Sequence, residues 1–215
     1  MRDIILFDLD GTLTDPALGI TNSILHALAR MGRELPVRES LYRFIGPPLV
    51  PAFQEFLGMT EEEAQRALVL YREYFSVTGL FENTVYGGIA DALEKLKHAG
   101  CTLVLATSKP EQFAVRILGH FDLARYFTLI CGASMDEKRN TKDAVIGYAL
   151  EKLGQPDKSR VIMVGDRHHD VEGAAKFGIP TVGVLWGYGS RDELTDAGAA
   201  WLAADVGEMV QMLME

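Results

Sequence analysis

What most constrains the fold of this chain is a repeated pattern. Short apolar runs each stop at a polar residue that can do chemistry. Ile4–Phe7 runs into Asp8, Thr102–Ala106 into Thr107, and Val161–Val164 through Gly165 into Asp166. Two weaker runs, Phe127–Cys131 and Thr181–Leu185, have the same style. Runs this short, continuous rather than alternating, suit strands buried on both faces, as in a parallel sheet. Helical spacing fills the gaps. Ile89, Leu93 and Leu96 precede Gly100, and Val145, Ile146, Ala149, Leu150 and Leu153 precede Gly154. Val171, Ala174 and Ala175 precede the stop signals Gly178 and Pro180. Strand–helix alternation predicts an α/β fold with a doubly wound, mainly parallel sheet.

One stretch breaks the alternation. From Asp15 to Asn83 the pattern is helical, with no convincing strand. Ile20, Ile24, Leu28 and Met31 share a helical face. Thr60 and Glu63 have the spacing of a capping box, followed by Ala64, Ala67, Leu68, Tyr71 and Phe75. The expected organisation is a core built from residues 1–14 and 84–215, with an all-helical module, 15–83, inserted after the first strand.

Composition excludes several classes. With 48% hydrophobic and 24% charged residues over 215 positions, the chain has the balance of a globular protein, not a disordered one. Its net charge is −9 and it has no basic run, which argues against nucleic acid as a partner. No apolar stretch is long enough to span a bilayer, so no membrane association is expected. Acidic residues arrive within the opening MRDIILFDLD, so no signal peptide is expected. Cys101 and Cys131 sit beside apolar runs and read as buried free thiols in a reducing compartment. Together these predict a cytoplasmic location.

The chemistry concentrates at the strand ends. In Asp8-Leu9-Asp10-Gly11-Thr12, side chains two apart point to the same side of an extended chain, so Asp8 and Asp10 converge beyond the first strand. That edge is where open α/β sheets bind ligands. Asp166 and Asp170 bring two further carboxylates to it. Crowded carboxylates raise one another's pKa unless a cation joins them, and an oxygen-only set suits Mg²⁺. His168 and His169 lie in the same segment and read as solvent-facing loop residues. Thr107 and Ser108 offer hydroxyls for a phosphate oxygen. Lys142 opens a helical pattern, where a cation is locally unfavourable, and so is expected to have an anionic partner.

Taken in order, Asp8–Thr12, Thr107, Lys142 and Gly165–Asp170 resemble the motifs of the haloacid dehalogenase-like (HAD) superfamily, over essentially the whole chain. The helical insertion is similar to the cap of its phosphoglycolate phosphatase-like branch. The resemblance implies Asp8 as nucleophile and Asp10 as general acid and base. It implies Thr107, Ser108 and Lys142 as phosphate-binding residues. It implies Mg²⁺ held by Asp8, the Asp10 backbone carbonyl and Asp166, with Asp170 supporting. Lys142 lacks the following proline common in glycolate-phosphate relatives, which leaves Lys138 as an alternative. Phe44–Leu49 resembles the cap segment that reaches over the site. Arg43, Phe44, Gly46 and Pro47 are its specificity candidates.

The implied activity is Mg²⁺-dependent hydrolysis of a small-molecule phosphate monoester through an aspartyl-phosphate, as in phosphoglycolate phosphatase. A 5′-nucleotidase or a pyrophosphatase remains open. Asp10 argues against a dehalogenase. Segment 15–83 has no lysine, which argues against phosphonate-cleaving and sugar-phosphomutase relatives. Outside the enzyme class, a phospho-receiver domain would be about half this length, and a non-catalytic binding protein would not need every motif residue intact. Oligomeric state is not legible in the sequence.

Overall fold

The computed structural model describes residues 2–136 and 138–215. In chain order the elements are β1 (Ile4–Phe7), β2 (Thr14–Asp15), α1 (Ala17–Arg30), α2 (Leu49–Leu57), α3 (Glu61–Tyr74) and β3 (Thr84–Val85). They continue with α4 (Ile89–His98), β4 (Thr102–Pro110), α5 (Glu111–His120), β5 (Leu129–Ala133) and α6 (Lys142–Lys152). The last are β6 (Val161–Gly165), α7 (His168–Ala175), β7 (Thr181–Val184), α8 (Arg191–Asp196), β8 (Trp201–Ala203) and α9 (Val206–Met214). The chain divides into two compact units, residues 1–14 with 85–215, and residues 15–84.

The first unit is a six-stranded, all-parallel sheet in the order β5-β4-β1-β6-β7-β8. Strand β1 lies in the interior of the sheet. Ile4 pairs with Thr102 on one side and Val161 on the other, and Phe7 with Leu105 and Val164. Every residue of β1 is buried because the sheet is covered on both faces. Ile4 and Leu6 point to the face where α6 and α7 pack, and join Val104, Ala106, Val145, Ile146, Met163 and Ala174 in one core cluster. Burying each of the larger aliphatic side chains among them contributes about 1.5–3 kcal/mol. From β1 the connections run outward through β4 and β5 on one side, then return to β6 and run outward through β7 and β8. The order therefore reverses between β1 and β6, the switch point where open α/β sheets leave a crevice at their carboxyl ends.

Strand β4 runs past Ala106, where the apolar run ends, to Pro110. A shift in its pairing with β5 between Thr107 and Pro110 keeps Thr107-Ser108-Lys109 extended. Strand β8 and helix α8 are too short to carry a periodic signal, whereas α9 has one in Val206, Met209, Val210 and Leu213, the last three of them buried.

The second unit is helical apart from Asp15 and Thr84, the strand residues at its two ends. Helix α1 buries Ile20, Ile24, Ala27 and Leu28, and α3 buries Ala64, Ala67, Leu68 and Tyr71. The capping box at Thr60 is formed: Thr60 Oγ1 accepts from the Glu63 N–H at 3.2 Å, and Glu63 accepts from the Thr60 N–H at 2.9 Å. Phe75 does not extend α3 as the spacing suggested. It opens a π-helical turn, Phe75–Gly79. There Gly19 and Gly79 lie in contact, since a Cβ on Gly19 would stand 2.0 Å from the Gly79 carbonyl oxygen.

Candidate active site

Strands β4 and β6 flank β1, and their registers place Asp8, Thr107 and Asp166 at one edge of the sheet. The Asp8 N–H continues the ladder to the Val164 carbonyl at 2.9 Å, which fixes where its side chain leaves the sheet. Asp170 comes from the first turn of α7, and its carboxylate accepts from the Arg167 N–H at 3.1 Å. One oxygen from each of Asp8, Asp166 and Asp170 lies within 4.8 Å of the others, and all three residues are buried.

Glycines make this approach possible. A Cβ on Gly11, whose φ is +85°, would stand 2.2 Å from Asp166 Oδ2. A Cβ on Gly165 would stand 2.2 Å from the Asp170 carboxyl carbon, and one on Gly187 would stand 2.4 Å from Asp166 Cβ. Backbone can approach these carboxylates where a side chain cannot.

Lys142 enters the cluster from the start of α6. Its Nζ lies 2.6 Å from Asp8 Oδ1 and 2.7 Å from Asp170 Oδ1, and it donates to the Ala106 carbonyl at 3.1 Å. Its stem passes over Gly173 of α7, where a Cβ would sit 2.8 Å from Lys142 Cγ. Its two carboxylate partners outweigh burial and raise its pKa, so it stays charged. Lys138 is exposed and paired with Asp136 instead. Of Lys138 and Lys142, Lys142 is the one that reaches the carboxylate cluster.

Three carboxylates around one ammonium leave the cluster short of positive charge. Burial, with repulsion from Asp170 and Asp8, pushes Asp166 well above the carboxylate range. Burial and the Asp8 charge push Asp170 up to about 6, against the pull of Lys142. Among the described residues, Thr12 Oγ1 at 3.2 Å and the Tyr188 N–H at 2.8 Å meet the oxygens of Asp166, and neither carries charge. An all-oxygen set with excess negative charge is what a hard divalent cation fits.

Asp10 is not one of these three carboxylates. Its carboxylate pairs with Lys109, Nζ to Oδ2 at 2.7 Å. Burial raises its pKa against that lysine's pull. Thr107 is buried, and its Oγ1 accepts from the Lys109 N–H at 3.2 Å, while Ser108 is half-buried.

The two histidines need correcting. They are not loop residues facing solvent. His168 and His169 begin α7, half-buried, with ring centroids 3.8 Å apart. The helix starts earlier than its apolar residues suggest because the Asp170 side chain accepts the Arg167 N–H at its first turn. Among the described residues, neither histidine belongs to the acidic cluster.

Arg43, Phe44, Gly46 and Pro47 belong to the helical unit. Phe44 is buried there against Phe53 and Phe56, with centroids 5.5 and 5.1 Å away. Arg43 lies over the Phe56 ring at 4.6 Å and donates to the Phe56 carbonyl at 3.1 Å. Both are engaged in holding their own unit, and Gly46 and Pro47 are half-buried.

The sequence motifs gave Lys109 no role. A lysine next to a strand-end hydroxyl and ahead of a proline was the available signal. The motifs also passed over the loop Leu185–Ser190, which supplies the Tyr188 N–H and the Trp186 indole, a donor to the Thr12 carbonyl at 3.1 Å. The glycines at 187 and 189 marked it.

The haloacid dehalogenase-like hydrolase family model matches residues 5–184. A Pseudomonas aeruginosa protein named 5′-nucleotidase is 45% identical over 209 residues, covering 97% of this chain and 94% of that protein. The Mycobacterium tuberculosis protein named tyrosine-protein kinase PtkA is 42% identical over 212 residues, covering 98% of this chain and 72% of that protein. An Agrobacterium fabrum phosphoglycolate phosphatase is 32% identical over 196 residues, covering 87% and 82%. The crystal structure of a predicted phosphatase from Clostridium acetobutylicum superimposes with a TM-score of 0.96 at 45% identity, covering 100% of this chain and 99% of that one. With the family model spanning most of the sheet, the chain belongs to the haloacid dehalogenase-like hydrolase family.

Proposed function

We propose that this HAD-like phosphatase hydrolyses a small-molecule phosphate monoester through a phosphoryl group carried on Asp8, assisted by Mg²⁺. The observation that carries the reading is the Lys142 ammonium between Asp8 and Asp170, inside a cluster of three buried carboxylates at the sheet's switch point.

Asp8, Asp166, the backbone carbonyl of Asp10 and, in support, Asp170 would hold the cation. When bound, it supplies positive charge that offsets repulsion between the phosphate and the carboxylates and stabilises charge in the transition state. The chain's own groups do the rest. Lys142 and Thr107, with Ser108 beside it, hold the phosphoryl oxygens. Asp8 attacks phosphorus in line, and the ester P–O bond breaks. Asp10 gives its proton to the departing alkoxide. It then takes one from the water that attacks the aspartyl-phosphate, freeing phosphate and the Asp8 carboxylate.

These residues recognise only the phosphoryl group. Discrimination among esters must come from elsewhere, and we assign it to the helical unit, with Gly46 and Pro47 kept as candidates. The 45%-identical relative makes a nucleoside 5′-monophosphate the first substrate to test. Phosphoglycolate is the second, on the more distant relative of that name. The test is turnover by the purified protein with Mg²⁺ over a panel of nucleotides, phosphoglycolate, pyrophosphate and p-nitrophenyl phosphate. Phosphate release from at least one ester, lost in Asp8→Asn, supports the reading. Because one relative is named a tyrosine kinase, the panel includes ATP with a tyrosine peptide. Phosphate passing from ATP to tyrosine, with no ester hydrolysed, would overturn it.

A further inference from the structure

We propose that Lys109 is a positioning residue for Asp10: it anchors Oδ2 and leaves Oδ1 as the oxygen that exchanges the proton with substrate and water. The inference rests on the reading of Asp10 as general acid and base.

The geometry separates the two oxygens. Oδ2 is 2.7 Å from Lys109 Nζ, and the lysine side chain is 5% exposed. Oδ1 is buried and has no hydrogen-bond partner among the described residues. A buried carboxylate oxygen left without a partner costs free energy. A fold keeps such an oxygen most readily where a ligand will meet it. The anchor itself is held on several sides. Its N–H donates to Thr107 Oγ1, and the following Pro110 restricts its backbone to an extended shape. On the neighbouring strand, a Cβ on Gly132 would stand 2.6 Å from the Lys109 carbonyl oxygen, so the backbones are close-packed there. Buried ion pairs contribute little net stability. Fixing the rotation of the Asp10 carboxyl is a use that this pair's place at the site explains. Lys142 is engaged with Asp8 and Asp170, so the proposed nucleophile and the proposed acid have different lysines.

In the first half-reaction the Asp8 oxygen bonds to phosphorus, the ester P–O bond breaks, and the proton on Asp10 Oδ1 goes to the leaving alkoxide. In the second, water bonds to phosphorus, its proton returns to Oδ1, and the Asp8–phosphorus bond breaks. An alkyl phosphate needs that first proton, whereas p-nitrophenolate leaves without it.

The experiment compares kcat/KM, which reports through departure of the alcohol, for an alkyl phosphate and for p-nitrophenyl phosphate in Mg²⁺-loaded enzyme. Lys109→Met is expected to lose on the order of 10²-fold with the alkyl ester, in the range of general acid catalysis. It should stay within about threefold of wild type with the aryl ester. In an Asp10→Asn background, Lys109→Met should add little further loss. Lys109→Arg, which keeps the charge, should recover part of the alkyl activity, and it carries the test if Lys109→Met fails to fold. Equal losses for both esters, in either variant, would overturn the proposal, since Lys109 would then bind the phosphoryl group or support the fold. Selective loss in Asp10→Asn but not in the Lys109 variants would overturn this inference alone. An Asp10→Asn enzyme that spares the alkyl ester would remove the reading beneath it.

Discussion

The carboxyl edge of the sheet and the helical unit treat charge in opposite ways. At the edge, Asp8, Asp10, Asp166, Asp170, Lys109 and Lys142 are all buried. In the helical unit the ion pairs Arg30–Glu73 and Arg33–Glu63 stay partly in solvent, and the interior is made of Ile24, Ala27, Leu28, Phe44, Phe53, Ala67 and Tyr71. Surface pairs of that kind contribute about 0–1 kcal/mol, while buried charges need partners that each cost desolvation. The difference teaches where chemistry is placed. One region accepts crowded like charges that no folding argument favours, and the other is assembled from apolar packing.

The comparison predicts that substitutions at the edge act on turnover and those in the helical unit act on stability. The largest effect is expected for Asp8→Asn: loss of turnover by on the order of 10³-fold or more, with the fold retained. Near-wild-type hydrolysis by a pure sample would break the assignment. Next is the cation. Removing Mg²⁺ with a chelator should abolish turnover, and adding it should raise the melting temperature by mass action on the folded state. The rise should vanish in Asp166→Ala. Excess Ca²⁺ should inhibit, because it takes more ligands in looser geometry. Full activity in chelator would reject the metal account.

In the helical unit, Gly19→Ala should cost about 1–3 kcal/mol of stability, since its methyl group would meet the Gly79 carbonyl. Urea unfolding measures it, and an unchanged midpoint would mean the two segments are free to separate. The smallest effect is expected for Arg43→Ala. Its contact with the Phe56 ring is exposed and is worth about 0.5–1 kcal/mol. Any change in kcat/KM should be equal for an anionic ester and a neutral aryl phosphate. A loss confined to the anionic ester would return Arg43 to substrate recognition.

What the sequence showed of the fold follows from what fills each element. Strands β1 and β6 were legible because each is an uninterrupted apolar run. The extension of β4 through Thr107-Ser108-Lys109 was not, because its pairing with β5 there depends on a register shift that polar residues do not announce. The capping box at Thr60 could be read because both partners are three residues apart. The pairing of Lys142 with Asp8 spans 134 positions, yet it was foreshadowed by a cation placed at a helix start. The Lys109–Asp10 pair had no such local conflict to reveal it, since a lysine in an extended segment is unremarkable. Phe44 looked like a contact residue and is a packing one, because an aromatic beside Gly-Pro-Pro reads the same on either side of a surface.

The central claim is that Asp8 carries the phosphoryl group. In Asp10→Asn, p-nitrophenyl phosphate should still phosphorylate the enzyme, while release by water is slowed for want of a base. Acid quenching, borohydride reduction and peptide mapping then locate the group. The account predicts conversion of Asp8 to homoserine in step with p-nitrophenol release. Conversion at another carboxylate, or p-nitrophenol release with Asp8 unmodified throughout, would contradict it.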